Sequence, residues 1–423
     1  MLDIKFIREN ADLIAAGAKR KYLDFDITKL LKADEKRRDL MARVEVKRAA
    51  QNEYSKKIAA ATSDPEVRDQ MIREMQAVKE EMKSTEKRLK DAIDEWKLLM
   101  LQVPNIPDMS VPDGKTDAEN KEVRAWGNIP TFDFPVQSHI DLMEKLSMAD
   151  FERGAKVAGF RGYFLKGAGA ALDFAVWQLV FDYFVKKKGF VPMFVPSLVR
   201  RETLLGTGYL PQGEEDLYKT QDGDYLAGTG EVGTMGYFMD EVIPKEKLPL
   251  KIIAFSPCFR REAGSHSKDI KGLTRVHEFM KWEQVVLCEA SHEESVKLHE
   301  EITKNAEEVV QMMEVPYHVV ANCGGDLGLG QVKKYDIEVW HPSENKYRES
   351  HSASYFHDFQ SRRLNIRYKD DDGKLKFVHS LNSTALATPR FLISLIENNQ
   401  TPDGSIDVPD SLSSYLGTKK ITL

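Results

Sequence analysis

Cysteine is scarce in this 423-residue chain. Cys258, Cys288 and Cys323 lie far apart without CxxC spacing, so neither a disulfide framework nor a thiolate zinc site is suggested. That scarcity fits a reducing, cytosolic compartment. Long apolar runs are missing as well: no stretch reads as the roughly 18 apolar residues that span a bilayer. The amino terminus, MLDIKFIRENADLI, carries acidic residues and resembles neither a secretory signal nor an Arg-rich transit peptide. Positive charge is not in excess. The formal net charge of -6 does not mark the whole molecule as a nucleic-acid binder, although a local basic patch would suffice for that. Common site signatures are lacking too. There is no GxxxxGK[ST], no GxGxxG read as opening a helix behind a strand, no GxSxG and no HExxH. A P-loop, a dinucleotide fold, a serine-hydrolase elbow and a zincin site are therefore not supported.

Glycine is absent from Leu31 to Leu101, and proline occurs there once, at Pro65. In that stretch Val67, Met71, Met75, Val78, Met82, Thr85, Leu89, Ala92, Trp96 and Leu99 recur at alternating spacings of three and four from Met75 onward. This is the seam of a coiled coil. Leu40, Val44, Tyr54 and Ile58 give a rougher helical pattern before it, and Ser63 or Asp64 is suited to cap a helix that Pro65 opens. Two antiparallel helices of roughly 40–50 Å each are predicted. Residues 31–100 hold 17 Lys/Arg and 15 Asp/Glu, a net +2 against -6 overall, a balance that also suits a plain solvated face.

Pro104–Gly114, PNIPDMSVPDG, reads as a linker and divides the chain into an N-terminal helical domain, 1–105, and a larger domain, 106–423. A helix is predicted from Leu172 to Lys188, stopped by Gly189. Later β-rich runs lack helices of regular βαβ spacing, so the larger domain reads as α+β with a largely antiparallel sheet. Within residues 251–287, strand alternation places Arg275, Phe279 and Glu283 on one face, with Val276, Met280, Trp282 and Val286 on the other, and lets Arg260 and Glu262 share a face. Guanidinium groups beside an aromatic ring suit a polyphosphate joined to a planar base. A solvated face with cross-strand ion pairs is the plainer alternative.

FRREAGS followed by GLTRVHEFMKWEQ resembles motif 2 of the class II aminoacyl-tRNA synthetases in its seryl form. VHSLNSTALATPRFLISLIENNQ resembles motif 3, ending in Arg390, and the run to Pro196 resembles motif 1. GTGYLPQGEEDLY, GTGEV and YDIEVWHPSENKYRESHSASYFHDFQSRR follow the same pattern. The resemblance to the seryl-tRNA synthetase family covers nearly the whole chain. It implies a class II antiparallel β-sheet flanked by helices, with an N-terminal α-helical coiled-coil arm that binds tRNA. It implies serine activation with ATP and Mg²⁺, then transfer to tRNA(Ser), with tRNA(Sec) a further candidate acceptor, by a cytoplasmic homodimer with no membrane partner.

By the same resemblance, Arg260 contacts the α-phosphate and the serine carboxylate, Glu262 reads adenine, Phe279 and Arg390 sandwich the base, and Arg275 reaches the γ-phosphate. Arg260, Arg275 and Arg390 are the catalytic set. Glu349 and Ser352 match the magnesium-holding positions. Thr229 and Glu231 meet the serine ammonium, Glu283 and Thr384 recognise its polar groups, and Asn382 lines the pocket. Glu349 and Ser352 are oddly spaced, so joint contact requires a bulge near Ser350–His351. Taken alone, Asn382 and Thr384 read as a turn before a helix. His266, His277, His351 and His357 fit no standard zinc spacing.

The chain departs from the family pattern at Gly230, at Ser383, Ala385 and Pro389, where glycines are usual, and in the lysines of SHSKDIKG. A related ligase for another amino acid such as threonine, a silent binding paralogue and a plain coiled-coil scaffold are the competing readings.

Overall fold

The structure is a computed structural model that describes residues 1–60, 65–265 and 271–423. The cap expected at Ser63 or Asp64, His266 and most of the loop lysine region lie outside the described residues. The chain forms two compact units. One comprises Asp3–Lys19 and Leu23–Pro104; the other comprises Met1–Leu2, Arg20–Tyr22 and Asn105–Leu423.

The smaller unit is built on helices Ile27–Ala60 and Pro65–Leu101. With 34 and 37 residues they run to roughly 51 and 56 Å at the α-helical rise, longer than the sequence suggested. The first helix begins upstream of the patterned stretch. The predicted seam is inward from Met71 to Leu99, with Thr85 and Ala92 buried, whereas Val67 is exposed. Lys36–Glu95, Lys47–Glu81 and Arg48–Glu86 pair across the two helices. Asp34 is fully buried and receives Arg8, Arg37 and Arg38, while Arg37 stacks over Trp96 at 4.5 Å.

The larger unit carries an eight-stranded sheet: β1 Lys121–Trp126, β2 Val191–Phe194, β3 Leu250–Phe259, β4 Glu278–Cys288, β5 Tyr317–Ala321, β6 Lys333–His341, β7 Lys346–His357 and β8 His379–Thr388. Their spatial order is β1-β5-β6-β7-β8-β4-β3-β2. Every neighbouring pair is antiparallel except β2 with β3. Pro192 is tolerated because β2 is an edge strand, where a missing N–H costs no ladder bond.

The predicted 172–188 helix starts earlier, at Ala168, and passes from α-helix to a π turn at Asp182–Lys187. Gly189, at φ 72°, ends it as expected. Contrary to the expectation that no stretch is apolar enough, the span Ala168–Lys187 is long and apolar enough to cross a membrane by length and composition alone. Half of it is buried within the fold, and Leu172, Val176 and Val180 pack in the main core with residues of helices His292–Met312 and Arg390–Asn398.

Gly228–Gly233 departs from the expectation that no GxGxxG opens a helix behind a strand. GTGEVG does spell GxGxxG, and it does open a helix, Gly230–Tyr237, behind the short strand Tyr225–Leu226. Among the described residues that strand pairs antiparallel, with Leu198–Val199 and Tyr218–Lys219, and not as part of a parallel βαβ unit, so no dinucleotide fold follows.

Candidate active site

The centre of the sheet carries a cavity of about 360 Å³, within the range of small-ligand pockets. Arg260, Glu262, Phe279, Thr229, Glu231, Glu283, Glu349, Ser352, Asn382, Thr384 and Arg390 all line it. Residues separated by up to 161 positions in sequence therefore face one space. Arg275 is not among the lining residues; it donates at 2.9 Å to Oε2 of Glu262, which is one of them.

Strand alternation explains part of this. In β4, Phe279, Lys281 and Glu283 share the cavity face, opposite Cys258, Ser256 and Ala254 of β3. In β8, Asn382 and Thr384 lie mid-strand, paired with Val285 and Glu283, rather than in a turn before a helix. Other parts were misassigned. Neither β3 nor β4 reaches as far as predicted: Arg260 and Glu262 lie beyond the end of one strand, and Arg275 and Val276 lie before the start of the other. Val276, expected on the far face, lines the cavity. Glu262 turns inward at φ 54°. Arg260 N still bonds to His277 O at 3.0 Å, one residue outside each strand.

Glu349 and Ser352 are reconciled by the ladder itself. Ile337 pairs with His351 and Glu338 with Glu349, so Ser350 is an extra residue and both side chains reach the cavity. Pro389 precedes the helix Arg390–Asn398. Arg390 is aimed inward, donating from Nε to Thr274 O at 3.0 Å and from Nη1 to Glu349 O at 3.2 Å. The guanidinium of Arg260 lies 5.3 Å from the Phe279 ring centre.

Charge divides the cavity into two regions. Around Glu262, burial opposes ionisation, but the Arg275 hydrogen bond and the charges of Arg260, Arg275 and Arg390 hold its carboxyl below the usual range. Around Glu231 the balance reverses. Burial raises its carboxyl and Glu283 adds to the rise, against hydrogen bonds from Gln360, Tyr209 and Asn382. Gln360 Nε2 donates to Glu231 Oε1 at 2.7 Å and the Tyr209 hydroxyl to Oε2 at 2.9 Å. Buried Lys281 donates to Thr229 Oγ1 and forms an ion pair with Glu283. One region thus suits phosphate and base, the other a small group bearing an ammonium and polar atoms.

Three participants were missed from the sequence: Lys281, Tyr209 and Gln360. Lys281 had a signal, because it shares the period of Phe279 and Glu283 in β4. Tyr209 and Gln360 reach Glu231 through the fold alone. Of the histidines weighed as metal ligands, His351 and His357 are buried or half-buried, with ring pKa values pushed down to about 3 and about 4 mainly by burial. No metal-ligating group of three or more His, Cys, Asp or Glu occurs among the described residues.

Residues 218–399 match the tRNA synthetase class II core domain (G, H, P, S and T), and residues 1–107 match the seryl-tRNA synthetase N-terminal domain. A serine–tRNA ligase from Deinococcus radiodurans is 45% identical, over 100% of this chain and 99% of its own length. Among solved structures, seryl-tRNA synthetase from Pyrococcus horikoshii complexed with ATP is 36% identical, with a TM-score of 0.90 over 100% of this chain and 99% of its own. The cytoplasmic serine–tRNA ligase from Naegleria fowleri in complex with AMP is 32% identical, with a TM-score of 0.86 over 100% of this chain and 99% of its own.

Proposed function

The chain belongs to the seryl-tRNA synthetase family, and from that premise we propose how its residues perform the reaction of a serine–tRNA ligase. The serine carboxylate is itself the nucleophile. It forms a bond to the α-phosphorus of ATP as the α–β bridging bond breaks and pyrophosphate leaves. A ribose hydroxyl at the tRNA 3′ end then attacks the seryl carbonyl, and AMP departs. Neither step needs a protein nucleophile, so catalysis rests on positioning and charge stabilisation.

Arg260 bridges the α-phosphate and the serine carboxylate. Phe279 and Arg390 enclose adenine, Glu262 accepts from its amino group, and Arg275 extends toward the γ-phosphate. Thr229 and Glu231 receive the serine ammonium, Glu283 and Thr384 its hydroxyl, and Asn382 closes the pocket. Hydrogen-bonding the hydroxyl rejects alanine, because buried polar groups would be left unpaired. The carboxylate of Glu349 and the hydroxyl of Ser352 are hard oxygen donors brought to one wall by the Ser350 bulge, a pair that would hold Mg²⁺. Bound there, it would supply positive charge beside the phosphates.

Residues 1–105 act as the tRNA-binding helical domain and 106–423 as the catalytic domain. tRNA(Ser) is the acceptor, with tRNA(Sec) a second, and the enzyme works in the cytoplasm as a homodimer. Exposed Phe174, Val191 and Phe194, on the edge strand and its preceding helix, support the dimer.

The observation that carries this reading is the meeting of Arg260, Phe279 and Arg390 with Thr229, Glu231 and Glu283 in one cavity. Serine-dependent pyrophosphate exchange, followed by charging of total tRNA, tests it. Arg260→Ala abolishes exchange while the dimer stays folded; normal exchange in that variant removes Arg260 from the mechanism.

A further inference from the structure

Lys21 is buried, and its ammonium donates to three main-chain carbonyls: Gly328 O and Leu329 O at 2.9 Å and Gln331 O at 2.5 Å. The fourth carbonyl of that segment, Gly330 O, accepts from Asn105 Nδ2 at 3.0 Å, and Asn105 N donates to Leu329 O at 2.9 Å. Two residues thus satisfy every carbonyl of Gly328–Gln331. Those four residues line the substrate cavity.

Lys21 has no carboxylate partner among the described residues, so the three carbonyls are its compensation for burial. Desolvation pushes its pKa well below the usual lysine range. A buried ammonium is costly unless hydrogen-bonded. On the other side the segment has no slack: a Cβ at Gly330 would meet Phe359 ring carbons at 2.7 Å. Both anchors sit at chain junctions. The Leu23–Pro104 stretch of the helical unit begins two residues after Lys21 and ends one residue before Asn105.

We propose that Lys21 and Asn105 are positioning residues that set the Gly328–Gln331 wall of the cavity, and that through them tRNA held by the helical unit alters the affinity for serine. The second half rests on the reading of residues 1–105 as the tRNA-binding domain. Neither side chain touches a substrate; each acts through the loop backbone.

The test is serine-dependent pyrophosphate exchange by the full-length enzyme, with and without saturating periodate-oxidised tRNA(Ser), which binds but cannot be charged. Exchange by the wild type checks the family reading independently. Lys21→Met and Asn105→Ala each raise the serine KM about tenfold with kcat within about twofold, the scale of one or two buried hydrogen bonds. Combined, they are less than additive, because both act on one loop. Oxidised tRNA shifts the wild-type serine KM about threefold or more, and the shift disappears in either variant. An unchanged serine KM in the variants overturns the positioning role. A wild-type KM indifferent to oxidised tRNA overturns the coupling. Should Lys21→Met fail to fold, Asn105→Ala decides the same two points.

Discussion

Lys281 Nζ donates to Thr229 Oγ1 at 2.9 Å, tying the middle of a central strand to the cap of a helix 52 residues earlier. The same ammonium pairs with Glu283, so it fixes two groups assigned to serine while sitting deep in the cavity. Lys281→Met leaves the Glu283 carboxylate without its cation. A lost charge-assisted bond in a buried site is worth about 2–3 kcal/mol, or roughly 30–160-fold. The expected outcome is a rise of that order in the serine KM with the ATP KM little changed. Exchange kinetics at varied serine and varied ATP check it, and an equal rise in both constants would contradict the assignment.

Glu231 gives a prediction with a pH signature. Its carboxyl is already raised by burial and by Glu283, and the Tyr209 hydroxyl is one of the donors holding it down. Tyr209→Phe removes that donor, so the carboxyl protonates at a still higher pH. Only the carboxylate receives an ammonium well. Serine affinity in the variant falls by about fivefold, the worth of one hydrogen bond, and the deficit widens as pH is lowered. A pH series of serine KM measures this; a pH-independent deficit points to packing instead.

Acid sensitivity of the fold follows from His299. Its ring is buried, donates from Nε2 to Ala353 O at 2.9 Å and stacks on Tyr335 at 4.9 Å. Burial pushes its pKa down to about 4. Between that value and the ordinary one near 6.5, the unfolded chain binds a proton that the folded chain refuses. Stability is therefore intact above the ordinary pKa and is lost as pH falls toward about 4, by at most about 1.4 kcal/mol per pH unit. His299→Gln, which keeps an N–H donor but cannot titrate, should reduce the slope of Tm against pH between about 6.5 and 4, leaving the share of buried groups such as His351 and His357.

In the helical unit, Asp34 is the test of its polar core. It is fully buried beneath Arg8, Arg37 and Arg38, which are themselves partly exposed. Asp34→Ala removes the shared anion from three guanidinium groups. Because those groups can turn to solvent, the cost is set at about 1–3 kcal/mol rather than the full penalty of a broken buried pair. Denaturation of the full chain followed by helical circular dichroism should show the loss, with pyrophosphate exchange unaffected.

Much of the architecture was legible from local pattern. The absence of glycine and the three–four spacing from Met75 to Leu99 encode a two-helix seam, and the pattern holds in the structure with those residues turned inward. The odd spacing of Glu349 and Ser352 demanded an irregular strand, and Ser350 is the extra residue. Local pattern misled where strand ends mattered. Alternation was carried past Phe259 and before Glu278, so Val276 was assigned to the wrong face. GTGEVG was passed over because the short strand before it leaves little periodic signal.

Local pattern marks the long helices and the faces of strand interiors, and with them which charged and aromatic side chains can share a face. Those properties depend on neighbours a few residues away. Tertiary structure alone decided that Tyr209 and Gln360 grip Glu231, that Lys281 stands between Thr229 and Glu283, and that Lys21 holds the carbonyls of Gly328–Gln331. The Lys21 contacts join residues about 300 positions apart. No periodicity extends that far. Such contacts exist because a buried donor must find an acceptor wherever the packed chain supplies one.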